Sequence, residues 1–176
     1  MTAQDVRNYF QSQKRRALED LKDLVRIPCV SFPGYKASDL EKAAQHTAKL
    51  LEEAGMPDVQ ILTFKDAPPY VLASYIKDEQ APTLLLYAHY DVQPPLRAEL
   101  WESPAFEPTE RNGRLYGRGT SDDKAGVIAH IATVRAWLEH AKELPLNIKV
   151  FIEGEEEVGS GHMNDFLKQN EELLAC

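Results

Sequence analysis

Cysteine is scarce in this chain, and its scarcity excludes two architectures. The 176 residues hold only Cys29 and Cys176, with no C-x-x-C pair. That rules out a thiolate zinc knuckle and a disulfide framework, and it favours a reducing cytoplasm. No apolar run approaches the roughly 18 residues of a membrane-spanning helix. The amino terminus shows neither a basic leader nor an apolar segment behind it, so no membrane association is expected. Positive charge is in the minority: 28 acidic residues against 20 basic give a formal charge of -8, which disfavours nucleic acid as a partner. Catalytic signatures are missing too. There is no H-E-x-x-H pair and no P-loop, Ser121 is not in a G-x-S-x-G elbow, and Cys29 follows Ile27-Pro28 with no histidine nearby in sequence. The helix-borne zincin site is excluded, and nucleophile schemes are weakened.

What is present suffices for a folded domain, since 43% of the residues are hydrophobic. Apolar Phe10, Ala17, Leu18, Leu21 and Leu24 predict a helix over Ala3 to Val25, stopped by Pro28. A second helix is predicted from Ser38, with Glu41 as its reciprocal cap, to Gly55-Met56-Pro57. The period then changes, and Val59 to Phe64, Tyr70 to Ile76 and Thr83 to Ala88 read as strands. The last is apolar enough to suit burial on both faces. A proline-rich loop from Pro94 to Pro108 leads to a turn at Asn112-Gly113 and a short strand, Arg114 to Tyr116. Val127, Ile131, Val134 and Leu138 mark a helix reaching about His140, and Asn147 to Ile152 is another strand. Helices alternating with inner strands predict an α/β fold, a mixed twisted sheet with helices on both faces.

Three polar clusters stand at the ends of these elements. His89-Tyr90-Asp91 follows the apolar strand, where open α/β sheets place their ligands. Residues two apart in extended chain share a face, so His89 is a candidate metal ligand. Asp91 is either a second ligand or, preferably, the carboxylate that fixes the other imidazole nitrogen. An ordinary strand-end histidine would give the same triplet. Gly117-Arg118-Gly119-Thr120-Ser121-Asp122-Asp123-Lys124 brings two carboxylates to a helix start. Capping explains one of them, and Asp122 stands where a dinucleotide fingerprint needs its third glycine. Glu153-Gly154-Glu155-Glu156-Glu157 ends the last strand, and such acids repel one another unless solvated or neutralised by a cation. Nitrogen and carboxylate donors without sulfur suit zinc, manganese or cobalt, and a bridging carboxylate suits two ions. One glutamate can then bind metal while its neighbour accepts a proton.

The remaining polar residues take plainer readings. His46, His130 and His140 suit solvent-facing or hydrogen-bonded helix positions, and His162 suits a helix start. Trp101 and Phe106 read as loop anchors. Lys124 and Arg118 read as balancing the local acid.

These motifs resemble the signatures of the M20 metallopeptidase family, in particular its dipeptidase branch with the carnosinase-like enzymes. The match is strongest in His89 to Pro94, Trp101 to Phe106, Leu115 to Lys124 and Glu153 to Ser160, in family order. The resemblance implies a zinc-exopeptidase-type catalytic domain holding two divalent metal ions, zinc foremost, with manganese or cobalt as alternatives. It implies that His89 binds one metal, Asp122 bridges both and Glu157 binds the other. It further implies that Asp91 supports His89, that Glu156 is the general base, and that the Asp122-Asp123 peptide is cis. The reaction implied is hydrolysis of a peptide or amide bond in a dipeptide or N-acyl amino acid by a metal-activated water. Ala125 stands where many members have glycine. A further acidic ligand, a final histidine and a lid or dimerisation domain have no counterpart here. Residues 1–176 are therefore expected to be the amino-terminal portion of a catalytic domain, from a longer homodimeric protein. The segment Glu171 to Cys176 reads as the inside of an element. The alternative expectation is a truncated, non-catalytic homologue acting as a metal-binding or partner-assembled module.

Overall fold

The computed structural model describes residues 2–176. Helix α1 (Ala3–Val25) has the bounds that its apolar stripe predicts, and Thr2 and Asp5 close its start as a capping box. Helix α2 (Ala37–Glu53) differs from expectation at its start, because Ser38 does not cap it. Lys36 holds the cap position without a side-chain hydrogen bond, and the Asp39 amide donates to the Lys36 carbonyl at 3.0 Å. Ser38 lies inside that first turn, where its hydroxyl lacks the extended geometry of a cap. The far end stops as predicted, at Gly55 with φ +94.

The described residues form six strands, β1 (Asp58–Leu62), β2 (Tyr70–Tyr75), β3 (Thr83–His89), β4 (Thr109–Arg111), β5 (Arg114–Tyr116) and β6 (Asn147–Glu153). Strands β4 and β5 form a separate hairpin around Asn112 and Gly113, both at positive φ as a two-residue turn requires. The main sheet has the order β1-β2-β6-β3, with β2 antiparallel to both neighbours and β3 parallel to β6. Strand β6 is central and wholly buried. Strand β3 is not buried on both faces as its composition suggested. It lies at the edge, with Leu84 48% and Tyr87 47% exposed, because β6 pairs along only one of its sides.

Helix α3 (Lys124–Ala136) ends earlier than its periodicity predicted and continues as a wider π turn over Trp137–Ala141. That turn packs Leu138 against Gly55, where a Cβ would come within 3.3 Å of it. Helices α1, α2 and α3 share one core with Val71, Val150 and Ile152 of the sheet. On the opposite face lie α4 (Met163–Gln169) and α5 (Glu171–Leu174), where Phe166 stacks on Tyr70 at 4.1 Å between centroids. The mixed α/β sheet covered on both faces is therefore as expected. None of the helices among the described residues is long and apolar enough to cross a membrane.

Candidate metal centre

Parallel pairing of β3 and β6 makes His89 and Glu153 register partners, so the polar runs that follow both strands leave the same sheet edge. The Tyr90 amide donates to the Glu153 carbonyl at 2.9 Å, and Val92 bridges to Val30. Between them the extended chain alternates. Tyr90 is buried and its hydroxyl donates to the Pro69 carbonyl at 2.6 Å, while His89 and Asp91 take the other side. Gly154 makes room for that tyrosine, since a Cβ there would lie 2.2 Å from the Tyr90 hydroxyl.

Asp91 is the hub of the site. It is wholly buried, and its Oδ2 accepts from the Ser31 hydroxyl at 2.6 Å and the Glu157 amide at 3.1 Å. Its Oδ1 accepts from the Glu156 amide at 3.2 Å and lies 3.2 Å from His89 Nδ1. One carboxylate thus orients the imidazole and the turn that carries both glutamates. The structure places Asp91 against the Nδ1 side of the ring.

The other ring nitrogen, His89 Nε2, faces Asp122 Oδ1 at 3.2 Å and Glu156 Oε2 at 3.7 Å. Asp122 arrives through a turn in which Gly119 adopts φ +87 and approaches Val92 so closely that a Cβ would lie 2.8 Å from it. The Asp122-Asp123 peptide is cis. Asp123 occupies the cap position of α3 and its Oδ2 accepts from the His89 amide at 3.3 Å. Burial opposes a charge on His89, but the hydrogen bond to Asp91 and the charges of Asp91, Glu156 and Asp123 outweigh it. The imidazole is pushed up to about 9.

Glu157 meets this group through its amide on Asp91, while its carboxylate accepts from Gln93 Nε2 at 2.7 Å. Among the described residues, no three or more His, Cys, Asp or Glu side chains are gathered so as to hold a metal ion. The donor chemistry nevertheless fits a divalent cation. The acids that hold a proton on His89 also attract a cation, which must displace that proton to reach the ring nitrogen. The ends of Asp122 and Glu156, exposed to 77% and 45%, are open to an ion arriving from solvent.

Two supporting residues differ from expectation. Lys124 does not balance the acid: it is fully buried and donates to the carbonyls of Leu24 and Ile27 at 2.9 and 2.7 Å, closing the end of α1. Arg118 turns away as well, donating to the Pro94 carbonyl at 3.3 Å and lying over the Trp101 ring. Trp101 is a loop anchor as predicted, its indole N–H on the Pro95 carbonyl at 2.8 Å. His130 bonds to the Tyr87 carbonyl, and His162 starts α4 while contacting Glu155 and Asp66. Sequence reasoning gave no site role to Ser31 or Gln93, and it took Glu153 only as one acid of the cluster that ends the last strand.

The sequence pattern of Peptidase family M20/M25/M40 matches residues 85–175, just over half of the chain and all three polar clusters. The chain is 37% identical over 117 residues to a Beta-Ala-His dipeptidase of Rattus norvegicus, covering 66% of this chain and 23% of that protein. It is 35% identical over 165 residues to a Cysteinylglycine-S-conjugate dipeptidase of Corynebacterium striatum, covering 93% and 36%. The crystal structure of human carnosine dipeptidase 1 superposes with a TM-score of 0.87 at 30% identity, over 95% of this chain and 37% of that one. The chain therefore spans about a quarter to a third of the relatives it resembles. A mixed sheet of this topology, with His89, Asp91, Asp122 and Glu156 in contact at its carboxyl edge, carries the family's sequence pattern: the chain belongs to peptidase family M20/M25/M40.

Proposed function

We propose that residues 1–176 form the amino-terminal portion of a metal-dependent hydrolase that cleaves the amide bond of dipeptides or N-acyl amino acids. The observation that carries this reading is the imidazole of His89, held by buried Asp91 on one nitrogen and facing Asp122 and Glu156 with the other. His89, Asp122 and Glu157 would hold two divalent ions, zinc foremost, which when bound acidify water and polarise the scissile carbonyl. Glu156 is the general base. Its carboxylate is close to the ligands without being fixed among buried partners, so it is free to take a proton from the attacking water and pass it to the leaving amine. Asp91 is a positioning residue, keeping His89 in one tautomer and the two glutamates at a fixed spacing. The remaining ligands and a lid or dimerisation domain belong to the longer homodimeric protein. The relatives named as dipeptidases support a small-peptide substrate, and the free thiols Cys29 and Cys176 suit a reducing cytoplasm.

A second reading has its own support. Because the chain spans only about a quarter to a third of the relatives it resembles, the chain alone suits a non-catalytic metal-binding or partner-assembled module. The two readings separate when the chain is assayed on a dipeptide panel with Zn²⁺ or Mn²⁺. Chelator-sensitive turnover that disappears in Glu156→Ala supports the hydrolase, and metal binding without turnover supports the module.

A further inference from the structure

We propose that Glu153 is a positioning residue for this centre, its buried carboxyl joining the strand that carries His89 to the turn that carries Glu156 and Glu157. The inference rests on the metal-centre reading above. Glu153 ends β6 and is 1% exposed. Its Oε1 accepts from two hydroxyls, that of Tyr87 and that of Ser160, the latter at 3.1 Å. Tyr87 precedes His89 by two residues, so both side chains leave the same face of β3.

Ser160 closes the turn at the other end. Its amide donates to the Glu155 carbonyl at 2.9 Å, beside a Gly159 amide that donates to the Glu156 carbonyl at 2.8 Å. Gly159 and Ser160 both adopt positive φ, and the Ser160 hydroxyl reaches the Glu153 end of β6. Asp91 grips the front of this turn by two amides and Glu153 grips its back by the Ser160 hydroxyl. The spacing between His89 and the two glutamates is thus set from both sides.

Stability alone does not account for a carboxyl at this position. Its second oxygen, Oε2, is buried without a hydrogen-bond partner among the described residues, and such an atom is a cost that an apolar side chain of similar size avoids. Burial pushes the Glu153 carboxyl above the usual carboxylate range. Both hydroxyls use one acceptor oxygen, and glutamine supplies an acceptor oxygen in the same place.

The test is a titration of the purified chain with Co²⁺, followed by its visible absorption spectrum, with urea unfolding in chelator alongside. The variants are Glu153→Gln, Glu153→Ala, Tyr87→Phe and Ser160→Ala. The expected result is near-wild-type affinity and band positions for Glu153→Gln. Glu153→Ala and Ser160→Ala should lose roughly 10- to 100-fold in affinity, with displaced bands. Unchanged affinity and spectrum in Glu153→Ala, or losses in Glu153→Gln as large as in Glu153→Ala, would overturn the proposal. If Glu153→Ala does not fold, unchanged binding in both Tyr87→Phe and Ser160→Ala overturns it instead. A wild-type chain that binds no Co²⁺ sinks the metal-centre reading and this inference together, whereas wild-type binding with indifferent variants sinks this inference alone.

Discussion

Replacing Asp91 by alanine should unfold more than a single contact's worth of structure. The carboxylate accepts from the Ser31 hydroxyl and from the amides of Glu156 and Glu157, and it faces His89 Nδ1, all from a wholly buried position. Asp91→Ala leaves those donors facing a small buried void. At about 1 kcal/mol for each lost partner, and more where the donor stays dry, the loss is about 3–5 kcal/mol. In a chain of this size that lowers the melting temperature by roughly 10 °C. Asp91→Asn keeps the volume and one acceptor oxygen, turning its amide group toward some of the same donors, and should cost about 1–2 kcal/mol. Urea unfolding at neutral pH in chelator measures both without interference from metal. If Asp91→Ala unfolds within about 0.5 kcal/mol of the parent, a change typical of exposed surface sites, Asp91 is not the hub described here.

Three further outcomes follow from the same geometry. His89 is raised to about 9 in the folded chain, against an ordinary value of about 6.5, so its protonation stabilises the metal-free fold fully below pH 6.5. That stabilisation is lost as pH rises through 9, and His89→Gln should flatten this part of the stability profile; an equal slope in both proteins would contradict it. Gly154→Ala forces a Cβ into the buried Tyr90 hydroxyl and should cost about 1–3 kcal/mol or more in urea unfolding, where a neutral result would refute the close approach. Lys124→Met removes the donor from the Leu24 and Ile27 carbonyls and should cost about 1–3 kcal/mol, which an unchanged urea midpoint would contradict.

Helix α1 and the hairpin turn at Asn112-Gly113 were legible because local rules set them, an apolar stripe with a proline beyond it and a residue pair suited to positive φ. The exposure of β3 was not, since composition reports what a strand could bury and not how many neighbours it has. Ser38 failed as a cap because a cap depends on where the preceding loop releases the chain, two residues earlier than the serine-glutamate spacing suggested. In the site, His89 and Asp91 were readable from their place at a strand end, and Asp122 from an acid surplus at a helix start. The roles of Lys124 and Arg118 were misread because charge proximity in sequence says nothing of direction. Both side chains turn toward backbone carbonyls, Lys124 at the end of α1 and Arg118 at Pro94. Ser31 left no trace, since it meets Asp91 across 60 residues of chain, and Gln93 lay inside the His89 to Pro94 stretch without pointing to its contact with Glu157.

The central claim is that His89 and Asp122 are brought together to share a divalent cation. Crystals of the chain grown with Zn²⁺, and diffraction recorded on both sides of the zinc absorption edge, test it most directly. The account predicts an anomalous peak about 2.0–2.2 Å from His89 Nε2 and from an Asp122 oxygen. A peak bound elsewhere, with His89 still hydrogen-bonded to Asp122, would contradict it.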